Sequence, residues 1–356
     1  MTCFVVSADR FSPSIIPALS TAAIATGVRQ AHPDAEIIQA PLIDGGPGTS
    51  ITFAGETITL PTLSADGQLA EASYILDEDN ATAYIDAVPA AIGTGTAPTG
   101  IHTAHPPTGD SYGTGVLIAD ALSREVKTIV LSVDAGNRTN TSAHGATTFV
   151  LLDGGVGILQ ALGLIPQDGG GKQLAAGSEA LTQLDNFDAN SINMAAVDIQ
   201  WIIYSTQTAT FADLTADNPG LRTFAEVATR DGMSEDIAHV KGSAAGGGIP
   251  FGLGYLTSII GGTVTTSSPI VSSPHFQNVV SALTRDDTTD APTTVLLVTA
   301  SPDPENSPIL AALKQACDNY PSTADNPGPL LEVLTVPATD DPTEIAAALR
   351  AAGATV

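Results

Sequence analysis

The sequence is poor in positive charge. Its 356 residues include 12 Lys and Arg against 38 Asp and Glu, which gives a formal net charge of -26 at pH 7. A surface of this kind repels the phosphates of nucleic acids and of anionic lipids, so we exclude nucleic acid and membrane as partners. The alternative interpretation is that the acidity reflects the solubility strategy of a salt-tolerant or high-GC host, in which case it identifies no ligand.

Cysteine and aromatic side chains are also scarce. Only Cys3 and Cys317 are present, too few for a disulfide framework or a cysteine-rich zinc site. Apolar residues make up 43% of the chain and aromatics 4%, so Ala, Val, Leu and Ile must build the core, as in helix-covered parallel sheets. No apolar run approaches the length of a membrane span and no basic leader precedes the first strand pattern, so we expect a cytoplasmic protein.

Strand and helix patterns alternate at the two ends of the chain. CFVVS (3–7) is followed by an alanine-rich helix pattern and then by AEIIQAPL (35–42). Near the other end, TTVLLVT (293–299) precedes a helix pattern and LLEVLTV (330–336). Alternation of this kind predicts a parallel sheet with right-handed crossovers, to which both ends of the chain contribute.

The middle of the chain has a different pattern. Residues 51–90 contain short alternating strands separated by Ala-Gly, Asp-Gly and Asp-Asn, which is typical of antiparallel hairpins, and helix and strand patterns then resume. A chain of this length exceeds the size of a single hydrophobic core. We therefore predict an α/β protein with one domain formed by 1–50 and 256–356, and a mixed α/β domain, 51–255, inserted into it. Ligands commonly bind in clefts between such domains.

Four turns of small residues lie at the boundaries of these elements. They are PLIDGGPGTS (41–50), DSYGTGVLI (110–118), LLDGGVGILQALG (151–163) and KGSAAGGGIPFGLG (241–254). Taken alone, each of these turns is explained by the need for glycine at the backbone angles of a tight turn. Together they predict a site whose backbone amides hold an anionic ligand at helix N-termini, although neither a Walker sequence nor a GxGxxG turn is present.

The order of these segments resembles the bacterial glycerate kinase family of the two-domain type. The matching text begins with SADRFSPS (7–14) and continues through the four turns in the family's order, from residue 3 to about residue 254. The resemblance implies a Rossmann-like domain with an inserted mixed domain. It also implies that ATP, with Mg²⁺, phosphorylates D-glycerate or a related hydroxy acid.

The resemblance also assigns roles to matching residues. Asp44 would orient or deprotonate the acceptor hydroxyl, and Asp9 and Asp153 would support Mg²⁺ or substrate. Backbone and hydroxyl groups of further matching residues would bind substrate, phosphate or carboxylate. These are Gly45, Gly46, Thr49, Ser111, Gly113, Thr114, Gly115, Gly154, Gly155, Ala245, Gly246 and Gly247.

Other positions depart from the family pattern. Ser12 replaces a lysine, Pro47 and Val116 replace glutamates, and Ser205 replaces an aspartate. Phosphoryl transfer needs cations and metal-binding carboxylates to neutralise the transferred charge, so these losses favour slower turnover. Two hypotheses remain: an active kinase, or a catalytically degraded paralogue (a pseudokinase) that binds the old ligands or a protein partner.

Two further features bear on turnover. Arg138, Lys172 and Lys241 lie near glycine-rich turns in the sequence and could replace the missing cation, although each also suits an ordinary surface position. An insertion over 134–152, relative to the family pattern, could fill the nucleotide pocket. Oligomeric state and the identity of any protein partner do not follow from the sequence.

Overall fold

The computed structural model of the chain contains two compact units, residues 1–44 with 269–356, and residues 45–268. The division into domains of residues 1–50 with 256–356 and of residues 51–255 stays a prediction. The structure describes residues 3–8, 11, 15–43, 45–46, 48–63, 69–87, 111–133, 155–164, 194–205, 226, 248–283, 293–300, 304–320, 328–336, 341, 343–345 and 347.

Strands and helices are numbered here in chain order over those residues. The strands are β1 Cys3–Ala8, β2 Glu36–Gln39, β3 Glu56–Leu63, β4 Leu69–Asp77, β5 Thr82–Asp86, β6 Thr128–Ser132, β7 Gln200–Tyr204, β8 Thr263–Ser267, β9 Thr293–Thr299 and β10 Leu330–Thr335. The helices are α1 Pro17–Ala31, α2 Tyr112–Ser123, α3 Val156–Ala161, α4 Ile249–Ile260, α5 Pro269–Ser272, α6 Pro274–Leu283 and α7 Pro308–Asp318, with short 3-10 turns at Ser50–Thr52, Met194–Ala196 and Pro304–Asn306.

The first unit is a parallel sheet built from both ends of the chain. Its strand order is β10-β9-β1-β2, and every pair is parallel. Alternate residues of β1 face opposite cores: Phe4 and Val6 pack with α1, and Val5 packs with α5, α6 and α7. Because helices cover both faces, the central strands β1 and β9 are largely apolar, as the sequence pattern indicates. The predicted Rossmann-like sheet from both chain ends is confirmed.

The second unit contains a mixed sheet of order β3-β4-β5-β6-β7-β8. The pairs β3–β4 and β4–β5 are antiparallel, which confirms the predicted hairpins, and β5 through β8 are parallel to one another. One hydrophobic core joins this sheet to α2, α3 and α4, with Trp201 of β7 fully buried in it. The predicted α/β class with an inserted mixed part is therefore confirmed.

The parallel part of this sheet positions the candidate site. Because β5, β6 and β7 run in the same direction, their last residues, Asp86, Ser132 and Tyr204, lie along one edge. In the sequence, α2, α3 and α4 each begin after one of these strands. Ligands of open α/β sheets bind at this carboxyl edge. Within the described part of the chain, no helix is both long and apolar enough to cross a membrane.

Candidate functional site

The first predicted turn is anchored by a carboxylate that the sequence analysis did not single out. Asp86, the last residue of β5, is buried, and its Oδ2 and Oδ1 accept hydrogen bonds from the N–H groups of Gly48 and Ser50, both at 2.8 Å. Gly48 has a φ of 89°, a left-handed conformation that suits glycine. The Thr49 hydroxyl donates to the Gly46 carbonyl at 2.7 Å. Gly48 and Ser50 are thus held by Asp86, and Thr49 is held to Gly46.

The second predicted turn opens α2 and is fixed by the same strand. The Thr114 hydroxyl donates to the carbonyl of Ala87, the residue after Asp86, at 2.8 Å. On the other side, the Thr62 hydroxyl of β3 donates to the Gly113 carbonyl at 3.0 Å. Both hydroxyls are buried, so these bonds are little weakened by water. The first turn of α2 therefore has a defined position at the carboxyl edge.

Glycine allows α3 to lie directly against the start of α2. The Ile158 N–H donates to the Ser111 Oγ at 3.1 Å. A Cβ on Gly157 would lie 2.8 Å from the backbone N and C of Ser111, and one on Gly115 would lie 2.5 Å from the Ala161 Cβ. Side chains at these two positions would force the helices apart.

A third glycine brings α3 against α4. Gly155 has a φ of 86°, and a Cβ there would lie 3.1 Å from the Gly252 Cα and from the Ile249 carbonyl oxygen. Gly248, directly before α4, has a φ of 87°. The N-terminal ends of α2, α3 and α4 are consequently neighbours. Helix N-termini carry partial positive charge, so this edge suits an anion.

The cations of this unit that the structure describes lie at the opposite edge of the sheet. Arg124 follows the last residue of α2, and Lys127 precedes β6 and donates its backbone N–H to the Ala81 carbonyl. Asp120 accepts hydrogen bonds from the Arg124 Nε at 2.9 Å and from the Tyr74 Oη at 2.6 Å. Burial, and then Asp120, raise the pKa of the Tyr74 hydroxyl. Among the described residues, backbone amides are thus the positive groups at the glycine-rich edge.

Aromatic rings lie on β5 and β7 near this edge. The rings of Phe53 and Tyr84 stack with centroids 4.1 Å apart and an interplanar angle of 5°, and Tyr204 lies 6.0 Å from Phe53. Burial is the main cause that raises the pKa of Tyr84. This contact fixes the residue that follows the 3-10 turn Ser50–Thr52, and so supports the loop that Asp86 holds.

The structure brings together those predicted site residues that it describes, along one edge of one sheet. Gly45, Gly46 and Thr49 belong to the segment that contains the partners of Asp86. Ser111 directly precedes α2, Gly113, Thr114 and Gly115 lie in its first turn, and Gly155 directly precedes α3. Their proposed roles stay predictions. The other predicted site residues lie outside the described part of the chain: Asp9, Asp44, Asp153, Gly154, Ala245, Gly246 and Gly247.

The described residues contain no group of three or more His, Cys, Asp or Glu side chains that could hold an ion. Asp86 stands at the right edge, but both of its oxygens accept backbone N–H groups. The Asp86 carboxylate therefore holds the backbone at Gly48 and Ser50.

Comparison with known proteins identifies the family. Residues 4–273 match the model of the glycerate kinase family. A glycerate kinase of Haemophilus influenzae is 30% identical over 72% of this chain and 69% of its own length, and one of Halalkalibacterium halodurans is 28% identical over 71% and 68%. The crystal structure of a chain described as glycerate kinase 2 from Salmonella typhimurium LT2 superposes over 100% of both chains with a TM-score of 0.62 at 21% identity, which shows a shared fold. The chain therefore belongs to the glycerate kinase family.

Proposed function

We propose that the chain is an ATP-dependent kinase of D-glycerate or a related hydroxy acid. The observation that carries this proposal is the extent of the family match, which spans residues 4–273 and therefore all four glycine-rich turns. The described parts of these turns lie along one sheet edge, where backbone N–H groups favour phosphate or carboxylate. A nucleotide and a small hydroxy acid would be its ligands. The predicted cytoplasmic location is part of the same proposal.

The chemistry assigned to the aspartates follows from what phosphoryl transfer requires. Asp44 would orient or deprotonate the acceptor hydroxyl, since an attacking alcohol must lose its proton as the new bond forms. Asp9 and Asp153 would hold Mg²⁺ or substrate. Carboxylates together with phosphate oxygens are the donors that Mg²⁺ prefers, so this set fits the ion. When bound, Mg²⁺ supplies positive charge to the phosphate oxygens.

The source of the remaining positive charge distinguishes this chain from the family pattern. Ser12 stands at the position of the family's lysine, and the described cations of the second unit, Arg124 and Lys127, lie at the far edge of the sheet. Amides at the N-termini of α2 and α4 would stabilise phosphate charge, and Arg138, Lys172 or Lys241 would have to supply a mobile cation. We expect slow turnover, because each missing charged contact raises the transition-state free energy.

The second candidate function is that of a catalytically degraded paralogue that binds ligand or a protein partner. Two described positions favour it. Val116, which follows the first turn of α2, and Ser205, directly after β7, offer no carboxylate where the family has an acid. The backbone N–H of Ser205 donates to the Ser267 carbonyl at 3.4 Å. In this case the amide-lined edge would persist as a binding site without transfer.

One experiment separates the two functions. The purified chain is incubated with ATP, Mg²⁺ and D-glycerate, ADP is measured, and thermal shifts are recorded with each ligand alone. For a kinase we expect ADP that depends on glycerate, is lost in Asp44→Ala, and is retained in the control Asp120→Asn, which removes a charge away from the glycine-rich turns. A thermal shift without ADP would support the binding protein. The absence of both ADP formation and a thermal shift would contradict both ligand-based functions.

A further inference from the structure

Asp86 holds the chain on the C-terminal side of the predicted catalytic aspartate. We propose that Asp86 is a positioning residue for the transfer reaction, because its carboxylate fixes Gly48 and Ser50, which follow Asp44 closely in the sequence. This inference rests on the proposed kinase function. It assigns a role to a residue that would not itself contact substrate, and it predicts which kinetic constants depend on it.

The Asp86 carboxylate bridges two backbone amides. It is only 6% exposed, and each carboxylate oxygen accepts a different loop amide, Gly48 to Oδ2 and Ser50 to Oδ1, at 2.8 Å. Hydrogen bonds from N–H groups to a buried carboxylate are shorter and stronger than neutral ones. The two amides are separated in sequence from Asp86 by 38 and 36 residues, so these bonds join the loop to the sheet.

Ala87, the residue that follows β5, connects the same strand end to α2. The carbonyl of Ala87 accepts the hydroxyl of Thr114, whereas Asp86 holds Gly48 and Ser50. Two consecutive residues therefore set the distance between the loop and the first turn of α2. If these segments bind the acceptor and the phosphate groups, Asp86 determines whether the two ligands meet in a reactive geometry. Misplacement of reacting groups by about 1 Å can cost about 100-fold in rate.

Asp86→Asn is the sharpest perturbation because it keeps the shape and removes one acceptor. The amide of Asn accepts through one oxygen, and its NH₂ group would face the second loop N–H. We expect hydrogen exchange of the loop amides to accelerate by about tenfold, because one charged hydrogen bond is lost. The kcat with D-glycerate should fall by about 10- to 100-fold and its KM should rise, since the acceptor side is loosened. The KM for ATP should change little.

The experiment compares wild type, Asp86→Asn and the control Asp120→Asn, which also removes an aspartate charge from the second unit but contacts Tyr74 and Arg124 instead. Hydrogen exchange is followed by mass spectrometry on peptides that cover 45–53, and kcat and KM are measured for both substrates. Faster exchange with a selective loss for glycerate in Asp86→Asn alone supports the inference. Wild-type exchange, or faster exchange with unchanged kinetic constants, overturns it.

Two further outcomes keep the inference and the proposed function separate. If Asp86→Asn does not fold, Asp86→Glu replaces it; this variant keeps both acceptors but displaces them, so loop exchange as slow as in wild type would overturn the inference. If wild type forms no ADP, the proposed function fails. The thermal shift with D-glycerate alone then decides: a shift lost in Asp86→Asn supports positioning of the ligand by Asp86, and an equal or absent shift overturns it.

Discussion

The contact of α3 with the start of α2 gives a prediction that needs no assumption about function. Gly157 lies in the first turn of α3, and a Cβ there would lie 2.8 Å from the backbone N and C of Ser111 and closer still to the Tyr112 N. Backbone atoms cannot avoid a contact of this kind by changing rotamer. In Gly157→Ala, therefore, the two helices must move apart.

Opposing effects set the size of the change. Alanine is a better helix former than glycine by about 1 kcal/mol, which favours the variant. Overpacking of a closed contact costs about 1–3 kcal/mol, and loss of the hydrogen bond from the Ile158 N–H to the Ser111 Oγ would cost about 1 kcal/mol more. We expect Gly157→Ala to lower the free energy of unfolding by about 1–3 kcal/mol, because the steric cost and the lost hydrogen bond together exceed the gain in helix propensity.

Urea unfolding provides the assay, with Trp201 as the probe. It is the one tryptophan of the chain, it is fully buried, and it belongs to the same hydrophobic core as Ile158. Its fluorescence therefore reports the second unit. With a denaturant slope of about 2 kcal/mol per molar urea, the midpoint should fall by about 1 M.

The matched control is Gly27→Ala in α1. Gly27 lies within a helix, and a Cβ at this position would meet nothing within 4 Å. Only the propensity difference remains, so this variant should be more stable by up to about 1 kcal/mol, as followed by far-UV circular dichroism. Opposite signs for the two variants support the steric argument. A Gly157→Ala protein as stable as wild type would refute it.

Three further predictions concern a helix cap, a tyrosine and the departures from the family. Ser307→Ala should destabilise α7 by about 1 kcal/mol in thermal melts, because the Ser307 hydroxyl accepts the Leu310 N–H. The raised pKa of Tyr74 means that the folded state favours the protonated hydroxyl. Its contribution to stability is therefore fully present below the ordinary tyrosine pKa of about 10 and falls as the pH rises above that value. In urea titrations, Tyr74→Phe should reduce this loss of stability at alkaline pH. For an active kinase, Ser12→Lys combined with Val116→Glu, which restores two charged residues of the family, should raise the rate of ADP formation by about tenfold or more.

The elements that the sequence predicted well are those whose burial leaves a simple pattern. TTVLLVT at 293–299 corresponds to β9, Thr293–Thr299, because a central strand of a helix-covered parallel sheet is apolar on both faces. The alternating text of 51–90 forms β3, β4 and β5, because this sheet region has one face toward the helices and turn residues between its strands. Local composition therefore predicts a strand where the burial of that strand determines its composition.

Neither β8 nor the role of Asp86 could be predicted from the sequence, for two different physical reasons. β8 reads TVTTS and is largely exposed at the edge of its sheet, so it has no apolar pattern; it forms because β7 offers a parallel partner from Gln200 to Tyr204. Asp86 closes the apolar run of β5, a visible signal in the sequence. Its function, however, depends on two amides more than thirty residues away, and such contacts leave no local trace.

The described glycines do not distinguish an active kinase from a catalytically degraded paralogue. Gly115, Gly155 and Gly157 each have a packing reason to be glycine, since a Cβ would meet a neighbouring helix. A paralogue without activity needs that packing as much as an enzyme does, so it would keep the glycines. Retention of these turns therefore supports the family and the fold but is neutral on turnover. A charged side chain that serves only phosphoryl transfer has no such packing requirement, and the replacements at Val116 and Ser205 are for that reason the informative ones.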